Sequence, residues 1–216
     1  KGFEERSKTK QSMLCGSHKG ACMLCFRETA FGRVGIEDKE GSITRLYLPG
    51  RSDAVSEGPE TALLGEAFAQ LEAYFAGRRK TFDLPLRFDE GTPFMKQVWQ
   101  ALCTVPYAHT ASYKDIAEAV GNPKACRAVG MANHRNPIAI VVPCHRVVGS
   151  GGTLVGYAGG LETKAYLLGL ERENKAEKPP PANGKMAGQL PDFGMHIPKS
   201  TAEYRTNKGG GGAYLP

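Results

Sequence analysis

The stretch from Asn136 to Val148, Asn-Pro-Ile-Ala-Ile-Val-Val-Pro-Cys-His-Arg-Val-Val, constrains this chain more than any other. Ile138 to Val142 is apolar and β-branched except at Ala139, which predicts a short buried strand. Pro143 cannot donate to a ladder, so the strand must stop and deliver Cys144 at its end, where a rigid backbone can aim a reactive side chain into a pocket. A thiol attacks only as thiolate, and its free pKa of about 8.5 has to be lowered by a neighbouring base or cation. His145 and Arg146 follow at once. Taken alone, a Cys-His pair reads more readily as a buried structural thiol beside a basic pair. The flanks decide otherwise.

A chain of 216 residues, 41% hydrophobic, can bury a core and make one large or two small domains. No apolar run reaches the ~18 residues of a membrane span, and the charged N-terminus lacks the apolar centre of a signal peptide, so the expected location is the cytoplasm. Six cysteines at irregular spacing do not form a disulfide framework, and a nucleophilic thiol suits a reducing compartment. The net charge of +6 comes from the two ends, with Cys22 to Glu173 neutral. Within that core, Cys22 to Met95 holds nine bases against twelve acids, and Lys96 to Glu173 holds eight against five. The basic excess falls on the half carrying Cys144, as a phosphate-facing surface requires.

In chain order, 1–21 is polar and aperiodic and is expected to be a disordered extension. Cys15, His18, Cys22 and Cys25 are zinc-competent in type but spaced more tightly than usual structural sites, so no metal is assigned. Cys22 to Leu48 alternates around turns at Ala30-Phe31-Gly32 and Asp38 to Gly41, an antiparallel meander. Leu64, Phe68, Leu71 and Phe75 form one face of a helix lying on it. These elements make an α/β domain over 22–86, and 87–91 is a candidate linker. Thr92-Pro93 starts a helix with a Phe94, Val98, Leu102 stripe. Ser112 and Asp115 box the start of a second helix carrying Tyr113, Ile116, Ala117 and Val120. Asn122-Pro123 starts a third, with Ala125, Ala128, Val129 and Ala132 inward and Lys124, Arg127 and Met131 pointing elsewhere. Short helices around a glycine turn, the second basic outside, are the pattern of a helix-turn-helix. Leu161 to Glu171 reads as a last helix with Leu161, Ala165 and Leu168 inward, and 174–216 as a disordered tail.

Pro143 to Val148, preceded by Asn136-Pro137 and followed by Gly156-Tyr157-Ala158-Gly159-Gly160-Leu161, resembles the active-site region of the O6-alkylguanine-DNA alkyltransferases, also called methylated-DNA–protein-cysteine methyltransferases. The resemblance runs from about Thr92 to Glu171 and, more weakly, back to about Glu28. It implies an α/β (α+β) fold, with a small N-terminal antiparallel sheet and helix followed by a mostly helical, winged helix-turn-helix-like domain over 92–173 that carries the cysteine. It also implies a suicide DNA repair protein without cofactor, a monomer that moves a methyl or alkyl group from O6-alkylguanine, with O4-alkylthymine as a second candidate substrate, in double-stranded DNA to Cys144 once. By the same resemblance His145 ionises the thiol through a water, Glu171 orients the imidazole and Asn136 holds the turn. Tyr113 faces the flipped nucleotide, and Val155, Gly156, Tyr157, Ala158 and Gly159 line the base pocket. Arg127 fills the gap in the stack, and Lys124, Ala125, Met131 and Arg135 join it against the minor groove. Ala158 stands where many members carry Ser, which leaves only a backbone N–H near the alkylated oxygen.

Two other classes compete. A catalytically idle reader of alkylated bases would lack the cysteine, which is present. A cysteine hydrolase using Cys144 and His145 would need adjacent side chains, which diverge along the backbone, to meet directly.

Overall fold

The computed structural model describes residues 22–50 and 58–175. The chain opens with the expected antiparallel meander, in which β1 (Cys22–Thr29), β2 (Gly32–Lys39) and β3 (Ser42–Tyr47) lie in that order. The β2–β3 turn places Glu40 and Gly41 at φ of 54° and 74°, the left-handed pair a two-residue hairpin needs. Asp38 braces it, accepting from the Gly41 N–H at 3.0 Å and the Thr61 hydroxyl at 2.7 Å. Thr61 in turn caps α1 (Ala62–Phe75) by accepting from the Leu64 N–H. Leu64, Phe68, Leu71 and Phe75 are all buried, as their spacing requires.

Residues 87–91, expected as a linker, are tied down along their length. The Arg87 N–H donates to the Ile43 carbonyl at 3.0 Å, and its guanidinium pairs with Glu40 and Asp89. Phe88 is buried against Trp99, with ring centroids 5.1 Å apart. Gly91 has φ +92°, and a Cβ there would meet the Trp99 ring at 2.5 Å, so only glycine lets the chain pass.

In α2 (Pro93–Cys103), Thr92 is the cap and Pro93 the first residue. Val98 and Leu102 of the expected stripe are buried, Phe94 is half-buried, and Trp99 donates its indole N–H to the Ala132 carbonyl at 2.8 Å. Ser112 and Asp115 form the predicted capping box of α3 (Tyr113–Ala119). The next helix departs from expectation, because α4 (Cys126–His134) starts at Cys126 rather than at Pro123. The Asn122 carbonyl instead closes a separate turn on the Ala125 N–H at 2.9 Å. On α4, Val129 and Ala132 are buried while Ala128, expected inward, is exposed.

Two further expectations are corrected. Ile138 to Val142 is no strand but a tight loop in which the Val142 N–H donates back to the Ile138 carbonyl at 2.9 Å and Ile140 takes φ +74°. The loop meets the sheet at a single bridge, Ile138 beside Leu46 of β3 with the Leu46 N–H donating to the Pro137 carbonyl at 2.8 Å, and its β-branched residues mainly signal burial, since Ile138, Ile140 and Val142 are all fully buried. In α5 (Leu161–Glu173) the buried face is Lys164, Leu167 and Glu171, and Leu161 and Ala165 are exposed. The helix turns polar groups inward because carbonyls and cations wait there to meet them.

The core runs without a break from Val34 and Ile36 on the sheet through Phe68 and Trp99 to Val129, Ile140 and Leu167. Outside it, Phe31 on the β1–β2 turn stacks on Phe75 at 5.2 Å and on Tyr166 of α5 at 5.6 Å. No described helix is long and apolar enough to cross a membrane. Cys15 and His18 lie outside the described residues. Cys22 is exposed, whereas Cys25 is buried with its thiol donating to the Gly58 carbonyl at 3.3 Å.

Candidate active site

Asn136 builds the site from the backbone outward. Its Oδ1 accepts from the Ile138 N–H at 3.1 Å and its Nδ2 donates to the Val142 carbonyl at 2.8 Å, which clamps the loop that forces Ile140 left-handed. The same Nδ2 lies 3.1 Å from the Sγ of Cys144. The loop delivers Cys144 into a 3-10 turn, Cys144–Arg146, followed directly by β5 (Val147–Val148). β5 pairs in parallel with β4 (Ala111–Ser112), Ser112 opposite Val148, so Tyr113 begins its helix beside the cysteine turn. Strain of ~1–3 kcal/mol at a β-branched residue persists only where surroundings enforce it, and here the enforcement comes from the residue that also touches the thiol.

Cys144, His145 and Arg146 are buried, at 3%, 0% and 6% exposure. His145 Nε2 lies 2.9 Å from Glu171 Oε1. Arg146 Nε donates to both oxygens of Glu171 at 3.1 Å, and its NH2 to Oε1 at 2.9 Å, while its NH1 donates to the Val105 carbonyl at 2.7 Å. The Ala108 N–H donates to Oε2 at 2.9 Å, and the Tyr74 hydroxyl, from α1, donates to Oε1 at 2.8 Å. The other imidazole nitrogen, Nδ1, is buried without a partner in the protein and is therefore the one free to exchange a proton.

Burial sets the resting charges. It pushes the Cys144 thiol up to about 11, although the Asn136 amide, Lys164 and nearby backbone N–H groups pull the other way. Burial also lowers the His145 imidazolium, more than Glu171 restores it. For Glu171 burial acts upward, yet its hydrogen bonds and neighbouring cations hold it at about 2. With His145 neutral, the permanent charge behind that is Arg146. The site rests as a thiol, a neutral imidazole and an ionised carboxylate.

Around the thiol stand Tyr113, Tyr157 and Lys164, each coupled to it electrostatically. Lys164 Nζ, fully buried, donates to the carbonyls of Val147 at 2.6 Å and Val155 at 2.7 Å. It therefore joins the cysteine strand to the glycine loop Val155 to Gly160. The Tyr113 hydroxyl donates to the same Val155 carbonyl at 3.2 Å, and Gly156 has φ +45°. Val155 and Gly156 are exposed, while Tyr157, Ala158 and Gly159 are half-buried. On α4 and just before it, Lys124, Arg127, Met131 and Arg135 are exposed and Ala125 half-buried. The sequence reading missed Tyr74, Lys164 and the carboxylate grip of Arg146. Only Lys164 and Glu171 left a signal, a spacing of seven that puts both on one helix face.

Taken together, fold and site define a protein that presents a short helix pair, Arg127 exposed on the second helix, beside a deeply buried thiol at Cys144 that is flanked by a buried imidazole and a buried carboxylate. Comparison with known proteins gives that class its family. Residues 93–173 match the DNA binding domain of 6-O-methylguanine DNA methyltransferase, and 14–88 match its ribonuclease-like domain. The constitutive methylated-DNA–protein-cysteine methyltransferase of Bacillus subtilis is 52% identical over 160 residues, 70% of this chain and 96% of that protein. The Mycobacterium leprae methylated-DNA–protein-cysteine methyltransferase is 53% identical over 130 residues, 60% of this chain and 76% of its own. A crystal structure of Mycobacterium tuberculosis OGT in complex with DNA superposes with TM-score 0.66 at 41% identity, over 70% of this chain and 94% of that one. The chain belongs to the methylated-DNA–protein-cysteine methyltransferase family.

Proposed function

We propose that this chain repairs double-stranded DNA by taking the methyl or alkyl group from O6 of a guanine onto Cys144, once per molecule. The observation that carries the reading is the thiol held 3.1 Å from the Asn136 amide beside an imidazole whose second nitrogen rests on a buried carboxylate. A bridging water carries the thiol proton to His145 Nδ1, because the two adjacent side chains diverge along the backbone and Nδ1 has no protein partner. The thiolate then attacks the alkyl carbon in line, the S–C bond forming as the C–O bond breaks, and the electron pair leaves with guanine, which regains a proton as it departs. Thiol and alkylguanine become thioether and guanine, with no cofactor needed. Nothing returns the sulfur to its first state, so the protein is consumed.

The target base is stacked in a duplex and has to be turned out, at a cost of a few kcal/mol. The exposed set Lys124, Arg127, Met131 and Arg135 suits the minor groove, with Arg127 occupying the gap and Ala125 allowing close approach to the backbone. The loop Val155 to Gly159, with Tyr113 and Tyr157, then receives the base. One chain carries every group the reaction uses, so a monomer suffices.

Incubation with an oligonucleotide carrying O6-methylguanine, followed by mass spectrometry, tests the assignment. The expected result is a gain of one CH2 per chain, located on Cys144 and absent from Cys144→Ala, whose DNA affinity stays near that of the unaltered chain because phosphate contacts supply it. Sustained turnover, or a methyl found only on another cysteine, overturns it.

A further inference from the structure

Glu171 accepts more hydrogen bonds than holding it still requires. Arg146 grips both its oxygens and the Ala108 N–H closes on Oε2, which fixes the carboxylate in position and plane. The two remaining donors, His145 Nε2 and the Tyr74 hydroxyl, fall on the same oxygen, Oε1, at 2.9 and 2.8 Å. Among the side chains that meet this carboxylate, Tyr74 alone comes from the sheet-bearing half of the chain. Its ring is fully buried, with Phe75, Phe82 and Tyr107 at centroid distances of 5.7, 5.3 and 6.1 Å, and its hydroxyl also lies 3.5 Å from His145 Nε2.

We propose that Tyr74 is a positioning residue that sets how readily His145 takes the Cys144 proton, by loading the carboxylate oxygen on which the imidazole rests. The proposal builds on the relay described above. A carboxylate offers about four lone-pair directions, and Oε1 faces Tyr74, His145 and Arg146 at once. Each donor draws on the same negative charge. When the proton passes from Sγ to Nδ1, the sulfur keeps its electron pair and the Nε2–H carries part of the new positive charge toward Oε1. An oxygen already holding the Tyr74 hydroxyl stabilises that imidazolium less. The charged and titratable groups facing the imidazole are Glu171 and Lys164 from α5, Arg146 from its own turn and Tyr74 from α1, with Tyr107 close to both Arg146 and Glu171. Glu171 favours the imidazolium, while Arg146 and Lys164 oppose it. Tyr74 is neutral, with its ionisation pushed far upward by burial beside Glu171, so removing its hydroxyl alters the balance without changing the charge.

The test is the pH dependence of the reaction of Cys144 with free O6-benzylguanine, which needs no base flipping. In Tyr74→Phe, with a melting temperature close to that of the parent, the midpoint of the rising limb should move to lower pH by about half a unit or more. In Glu171→Gln, adding Tyr74→Phe should give no further shift, since the shared oxygen has lost its charge. A rate that falls equally at every pH with the midpoint unchanged overturns the proposal, for that is what a purely structural contact would do. Should Tyr74→Phe fail to fold, 3-fluorotyrosine placed at position 74, a stronger donor of the same shape, should move the midpoint upward, and no movement overturns the proposal equally. A parent chain that takes no alkyl group on Cys144 refutes the relay itself, whereas transfer with an unmoved midpoint refutes only the part given to Tyr74.

Discussion

Burial at Cys144 opposes the ion its chemistry needs, and the residues around it resolve the conflict locally. A thiol raised to about 11 stays protonated, which protects it from adventitious alkylation and oxidation. The same burial has a stability consequence. Glu171 is held at about 2 against an ordinary 4.5, so its contribution is complete above pH 4.5 and is lost as pH falls from there toward 2. His145 is depressed too, so it adds a loss that begins as pH drops below its ordinary 6.5. Thermal melts should therefore hold steady near neutrality, decline below about pH 6.5 and decline more steeply below about pH 4.5. In Glu171→Gln, less stable at neutral pH, the steeper phase should disappear. Cys144 and His145 stood out as a dipeptide at the end of an apolar run, whereas the part given to Asn136 came only from the family resemblance. Glu171 was legible only through family resemblance, and Tyr74 not at all, since it meets His145 across 71 positions of sequence.

At the scale of elements, the sequence predicted well wherever local physics decides. The caps at Thr92 and Ser112 are satisfied by their own side chains, and the α1 stripe is buried where its period puts it. The failures share a cause. Apolar content was taken to mean sheet pairing in Ile138 to Val142, and inward direction in α5, but a buried loop can be just as apolar and a buried helix face can be polar once partners are supplied. Lys164 finds its partners in backbone carbonyls far along the chain, which no window of sequence displays. The outer face of α4 carries its own prediction. If Arg127 fills the stack, Arg127→Ala should slow repair of alkylguanine in duplex DNA by orders of magnitude, at 1.4 kcal/mol per factor of ten, and leave reaction with the free base nearly unchanged. A parallel fall in both reactions would make Arg127 a support of the pocket. No fall in either would make it an ordinary solvated arginine.

For the whole molecule, the unbroken core from the sheet to α5 and the stack of Phe75, Phe31 and Tyr166 tie the residues before 87–91 to those after them. Replacing Phe31 by Ala should lower the melting temperature by several degrees through lost aromatic area, and a double change with Tyr166→Ala should cost less than the two single losses added together. The sequence placed the sheet and α1 ahead of the helices that carry the cysteine, and that order is the one observed. The sequence could not show that the halves share one interior, because that depends on contacts between positions far apart in the chain. The consequence concerns cooperativity. Heat should unfold 22–175 in one transition, with calorimetric and van't Hoff enthalpies in agreement, and loss of the sheet should silence the thiol at the same temperature at which it melts the helices.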